Sequence, residues 1–203
     1  ISVDTDEYYY NLLSDLSETI ITNISDFSPQ GIANCAWSLA NLGYFNDKLI
    51  SKITSSNIKL SDKFNAQEIS NIIWSYAKLK VTNCFPMLKA LKTPILNHLS
   101  EFREQHVANI MWSLAKLVDE QVISSEDGFI DNLIYHFYPL IQKQSNNFNP
   151  QEISMCAWGI AILGTDCLES ANTASESQGK GMDAFLALGQ SCIKNIQRFS
   201  AQP

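Results

Sequence analysis

Arginine is nearly missing from this chain: Arg103 and Arg198 are the only two among 203 residues. Lysine does not make up the shortfall. Lys and Arg together number 14 against 21 Asp and Glu, for a net charge of −7. Phosphate neutralisation dominates non-specific nucleic-acid affinity, so this balance argues against a broad basic nucleic-acid surface. Any such role has to rest on a local field. No run approaches the ~18 consecutive apolar residues of a membrane span. The start, with Asp4, Asp6 and Glu7, is unlike a signal peptide, and an initial Ile is expected of a processed protein or a fragment. The five cysteines are odd in number and include no C-x-x-C, so neither a disulfide framework nor a zinc site is expected. His98, His106 and His136 form no H-E-x-x-H pair, and Gly179-Lys180-Gly181 lacks the spacing and the Ser/Thr of a P-loop. With no nucleophile–base constellation in view, no enzyme, cofactor, metal or small-molecule substrate is expected.

What the chain does have is a repeat. All four tryptophans fall in copies of one pattern. The first copy runs from Phe27 through Gln30, Ile32, Asn34, Trp37, Ser38 and Ala40 to Leu42. The second runs from Phe64 through Gln67, Ile69, Asn71, Trp74, Ser75 and Ala77 to Leu79. The third spans Phe102, Gln105, Val107, Asn109, Trp112, Ser113, Ala115 and Leu117. The fourth spans Phe148, Gln151, Ile153, Met155, Trp158, Gly159, Ala161 and Leu163. A fifth begins at Phe199-Ser200-Ala201-Gln202. The Phe positions give steps of 37, 38, 46 and 51 residues, a period that marks a solenoid. The longer steps accommodate a loop near 119–128 and a flexible insertion at 165–180, rich in Ser, Gly, Ala and Glu.

Each unit reads as two helices. Helix A holds the motif, with Pro29 and Pro150 suited to a first turn. Helix B is the amphipathic stretch after it, at 46–58, 85–99, 129–141 and 182–196, with 8–24 as the helix B of a preceding unit. The expected fold is all-α: a right-handed type of α-solenoid of paired antiparallel helices, about four repeats of 37–38 residues with insertions. Its units are a partial repeat at 1–26, then 27–63, 64–101, 102–147 and 148–198, with a further start at 199–203. One unit cannot bury both its faces alone, so neighbours must stack.

Counting from the Phe, helix A is apolar or small at +5, +6, +8, +9, +10, +12, +13 and +15, which makes it the inner, largely buried layer. The tryptophans at +10 are read here as core, not as stacking platforms. One polar stripe remains, at +3, +4, +7, +11 and +14, within roughly 100° of arc. It carries Gln30, Asn34, Ser38 and Asn41; Glu68, Asn71, Ser75 and Lys78; and His106, Asn109, Ser113 and Lys116. Amides and hydroxyls suit base edges and lysines suit phosphates. The varying +4 position is the candidate for specificity. The alternative is that Gln and Asn tie repeats together through neighbouring backbone. In the fourth copy Met155, Gly159 and Ile162 replace Asn, Ser and Lys, which puts an RNA role in doubt there and favours a protein contact.

The string F-x-x-Q-x-[IV]-[AS]-N-x-x-W-S-x-A-[KN]-L resembles the octotricopeptide repeat and its heptatricopeptide relative. The resemblance implies paired-helix solenoids that bind single-stranded or ribosomal RNA in mitochondria or, alternatively, chloroplasts. Such proteins serve in RNA stability, processing, translation or ribosomal RNA organisation, and some carry a RAP domain, which is not seen here. The competing expectation, favoured by the acidic balance, is a protein-interaction scaffold within a large organellar ribonucleoprotein such as a mitochondrial ribosome.

Overall fold

The structure is a computed structural model and describes residues 5–124, 128–166 and 174–194; residues 5–7, 165–166 and 174–178 are described by their backbone alone. Ten α-helices occupy these residues, with no strand among them. They are α1 (Thr5–Asn23), α2 (Pro29–Leu42), α3 (Asp47–Lys59), α4 (Ala66–Leu79), α5 (Phe85–Asn97), α6 (Glu104–Asp119), α7 (Phe129–Tyr135), α8 (Tyr138–Gln144), α9 (Pro150–Asp166) and α10 (Ala174–Lys194).

The motif helices are α2, α4, α6 and α9, and they stack on one another in that order. The intervening helices form the second layer, where α1 meets α3, α3 meets α5 and α8 meets α10. Between α5 and α7 the layer is continued by Phe85 and Phe129, edge to face at 5.3 Å. The chain is therefore an α-solenoid of stacked helix pairs. The motif supplies its core. The +5 aliphatics Ile32, Ile69, Val107 and Ile153 are buried, as are Phe64, Phe102 and Phe148 at the head of their units. Burying each such side chain stabilises the fold by about 1.5–3 kcal/mol.

The same local chemistry sets each helix start. A short 3-10 turn precedes the Phe at Ile24–Asp26, Ser61–Lys63 and Leu99–Glu101. The residue after the Phe then caps the motif helix. Ser28 accepts from the Gly31 N–H at 3.1 Å. Asn65 and Asn149 accept from the Glu68 and Glu152 amides at 3.0 and 2.9 Å, and the two carboxylates accept the cap residues' own N–H in return. Two orphan donors at each helix start are satisfied this way. At the other end, α2 stops on Gly43 and α4 on Lys80, both left-handed, each with a tight return bond from the following residue to Leu39 or Tyr76.

Two sequence expectations need correction. The single helix expected at 129–141 is broken into α7 and α8. In an unbroken helix residue 139 would donate to the Tyr135 carbonyl, but Pro139 has no N–H and its ring would strike that carbonyl. The chain turns at His136–Phe137 and restarts with Pro139 in the first turn, where no donor is needed. The flexible insertion expected at 165–180 is helical over its last seven residues, since α10 begins at Ala174; 167–173 lie outside the described residues. Gly179-Lys180-Gly181 belongs to this helix. Lys180 donates to the Tyr135 hydroxyl and lies 3.8 Å from the centre of that ring. A Cβ at Gly181 would sit 3.2 Å from the Tyr138 ring, so the glycine lets α10 approach α8. The fifth motif start at 199–203 also lies outside the described residues.

Candidate nucleic-acid interface

Stacking the motif helices decides which side chains remain on the surface. The glutamines at +3, Gln30, Gln67, Gln105 and Gln151, are all exposed. At +7 Asn34 is exposed, and Asn71 and Asn109 are half-buried. Among the described residues none of these seven amides makes a hydrogen bond. They therefore do not tie repeats together through neighbouring backbone. At +14 Lys78 is exposed and makes no ion pair among the described residues, while Asn41 bonds back to the Trp37 carbonyl at 2.9 Å.

Two other rows of the expected stripe have structural work. Ser75 and Ser113 at +11 are fully buried, and their hydroxyls donate to the Asn71 and Asn109 carbonyls at 2.6 Å. They sit between stacked motif helices and face no ligand. Gly159 holds the same position in α9. A Cβ there would lie 3.0 Å from the Met111 backbone oxygen, so glycine is set by the crossing of α6 and α9 and is not a lost RNA contact. Ser38 alone of this row is exposed, because no motif helix precedes α2 among the described residues. At +4 Glu68 and Glu152 are occupied in the capping boxes, and His106 Nδ1 accepts the Arg103 N–H at 3.3 Å. The arginine side chain has no acceptor to complete a box there. The variation at +4, expected to carry specificity, tracks how each helix start is closed.

Lys116 also departs from expectation. Its ammonium pairs with Glu120 at 2.7 Å, and Glu120 meets Lys80 at 3.0 Å. The hydrogen bond from Lys116 holds the Glu120 carboxyl below its usual range. Among the described residues Lys78 is the cation of this stripe without an ion pair, while Lys116 shares Glu120 with Lys80.

The tryptophans are only partly core: Trp112 and Trp158 pack against the hydrophobic core, yet none of the four is fully buried. Trp37 is 46% exposed, and Trp74, Trp112 and Trp158 are half-buried. At about 100° per residue, +3, +7, +10 and +14 fall within about 60°, while +4 and +11 lie about 70–90° from the centre of that group. The solvent-facing stripe is thus turned toward the tryptophan from the one expected. Trp74 and Trp112 are neighbours across α4 and α6, with ring centres 6.4 Å apart, and the Lys116 ammonium is 5.6 Å from the Trp112 ring.

Around the starts of α4, α6 and α9 a polar groove of about 1020 Å³ includes Gln67, Gln105, Glu101, Glu104, Glu152 and Arg103 in its lining. Three carboxylates against one guanidinium make it a poor seat for phosphate. Burial pushes the Cys84 thiol up to about 11 and raises those of Cys35 and Cys156, so these sulfurs stay protonated. Among the described residues no cluster of His, Cys, Asp and Glu is placed to hold a metal, and no helix is long and apolar enough to cross a membrane.

Residues 5–84 match the family model of RESC6, RNA-editing substrate-binding complex 6 protein. The matched span holds α1 through α4, the first full repeat and the motif helix of the second. No match was found among curated proteins. The RESC6 match overturns the resemblance to octotricopeptide and heptatricopeptide repeats. The physical reason is visible in the fold. The Phe, the +5 aliphatic, the +11 Ser and the +13 Ala are set by packing and helix crossing, which any array of helix pairs must satisfy.

Proposed function

We propose that this chain is an RNA-binding helical-repeat subunit of a ribonucleoprotein complex of the RNA-editing kind, acting in the mitochondrion. It holds RNA and partner proteins and performs no chemistry itself. Of the processes the sequence left open, RNA processing is the one favoured. The observation that carries the reading is the row of amides at +3 and +7 that have no hydrogen-bond partner among the described residues, repeated on successive motif helices beside Lys78. Surface amides with free donors and acceptors suit the edges of unpaired bases. The likeness of residues 5–84 to a protein described as part of an RNA-editing substrate-binding complex supports the same reading.

The test is binding of single-stranded RNA by the chain and by Lys78→Glu at several salt concentrations. Lys78→Glu is expected to weaken binding several-fold and to reduce the salt slope by about 1. Lys116→Glu is expected to cost less affinity, because its ammonium is already held in an ion pair with Glu120. Equal affinity and slope in Lys78→Glu and the parent chain would remove the face of amides and Lys78 as the RNA-binding surface.

A scaffold role is the second reading, and a specific observation favours it. Tyr8, Tyr9, Tyr10, Leu12, Leu16 and Phe45 are all exposed, and all lie within the matched span. So much exposed apolar surface in one region is a mark of protein contact. Partner capture that survives nuclease treatment supports the scaffold over direct RNA binding.

A further inference from the structure

We infer that the four tryptophans form a stacking row for unpaired bases, one indole per repeat. The inference rests on the RNA-binding reading above and assigns it a residue type that the amides alone do not supply. Trp37, Trp74, Trp112 and Trp158 occupy one position on four motif helices that stack in order. Trp37 is 46% exposed, and Trp74, Trp112 and Trp158 are each partly exposed, the last two with one side against the core. An indole at such a half-buried site packs one side inward and can leave an aromatic face for a base, which an aliphatic side chain cannot offer.

The neighbours of the row match the chemistry of a base. Within the same turn or the next, each tryptophan of the first three repeats is flanked by an asparagine at +7, and Trp74 also by Lys78 at +14; Asn41 and Lys116 at +14 are already bonded to the Trp37 carbonyl and to Glu120. A base on an indole face presents its edges to such amides and its phosphate to such a lysine. Stacking on aromatic faces with polar groups at the edge is how single strands are held with little sequence preference. The Trp74 and Trp112 ring centres are 6.4 Å apart with their planes tilted by 34°, about twice the ~3.4 Å rise between stacked nucleotides, a separation on the scale of one intervening base at this pair. An acidic chain gains most from such a surface, because stacking adds affinity without needing net positive charge. In the fourth repeat Met155 and Ile162 flank Trp158, so the polar edge contacts are missing and the row is best formed over the first three.

These four are the only tryptophans in the chain, so its intrinsic tryptophan emission reads this face and nothing else. The experiment titrates a uridine 12-mer and an abasic ribose-phosphate 12-mer into the full chain, following emission and affinity together. It repeats both with Trp37→Leu, Trp37→Tyr and Trp74→Leu, each checked for a native melting transition. Stacking predicts quenching by the uridine strand and not by the abasic one. It predicts a loss of about tenfold in affinity for the Leu variants and recovery in Trp37→Tyr. Trp37 is the safest position, since its exposure leaves little packing to lose. If RNA binds with unchanged emission, the Leu variants match the parent and Lys78→Glu still weakens binding, stacking is overturned and the face of amides and Lys78 stands. If neither strand binds the parent chain, the RNA-binding reading fails and the stacking row fails with it.

Discussion

The first repeat and the two after it carry nearly the same motif, yet equivalent residues end in different places. Ser38 is exposed where Ser75 and Ser113 are fully buried; Phe27 is half-buried where Phe64 and Phe102 are covered; Trp37 is the most open of the four tryptophans. The residue type does not decide this. Each motif helix is closed on one side by the motif helix before it, and α2 has none among the described residues. In a quasi-one-dimensional array the neighbour sets burial, so one substitution made in two repeats measures the interface between them.

The largest contrast belongs to the aromatic that heads each unit. Phe102 is buried and touches Phe137 edge to face at 5.6 Å. Phe102→Ala is expected to cost about 3–5 kcal/mol. Phe27→Ala, at a half-buried site, is expected to cost about half as much. Urea unfolding of the two variants measures the difference, and equal losses would break the contrast between end and interior.

Next comes the crossing position. Ser113→Leu forces a large side chain between stacked motif helices and is expected to cost about 1–3 kcal/mol. Ser38→Leu places the same side chain in solvent and is expected to stay within about 0.5 kcal/mol of the parent. A comparable loss at Ser38 would mean that another part of the protein covers α2.

Glycine gives a contrast of sign. Gly159→Ala gains helix propensity of about 1 kcal/mol but drives a Cβ against the Met111 backbone, which yields only if α6 and α9 move apart. A net loss of about 1 kcal/mol is expected. At Gly31 the nearest atom to an added Cβ is 3.5 Å away, an ordinary contact, so Gly31→Ala is expected to stabilise by about 0.5 kcal/mol. Thermal melts of the pair test the sign directly.

These contrasts explain how much was legible beforehand. The helix pairs followed from the 37-residue step and from apolar positions at helical spacing, because packing repeats itself when the unit does. The capping role of Glu68 and Glu152 was also legible, as Asn-x-x-Glu just ahead of an apolar run, but their variation with His106 looked like a code. The side of the stripe was not legible. Tryptophan is apolar enough to be placed in the core by composition, and serine polar enough to be placed outside. The helix crossing buried the serines and moved the tryptophans to the half-exposed rim, because a close approach admits Ser or Gly and not an indole. Glu120 lies outside the motif, so its claim on Lys116 had no sequence signal.

The smallest expected effect separates one interior helix start from the others. α4 and α9 are closed by carboxylates, whereas α6 is closed by the His106 imidazole accepting the Arg103 N–H. Only the neutral ring accepts. Burial lowers the His106 pKa from its usual value near 6.5, and the Arg103 charge lowers it further against a smaller opposing effect from Glu104. The unfolded chain therefore binds this proton more readily than the folded one. The stabilisation is fully present above about pH 6.5, the unfolded value, and is lost as pH falls from there toward the lower folded pKa. Its size should stay below the about 1 kcal/mol of a full helix cap. His106→Gln keeps an acceptor at the same point in the helix and does not titrate. The parent chain should lose stability relative to His106→Gln between pH 7 and 5, read as the difference in urea midpoints. A constant difference across that range would show that the ring's hydrogen bond to Arg103 adds nothing to the start of α6, and that the three interior helix starts are closed equally well without it.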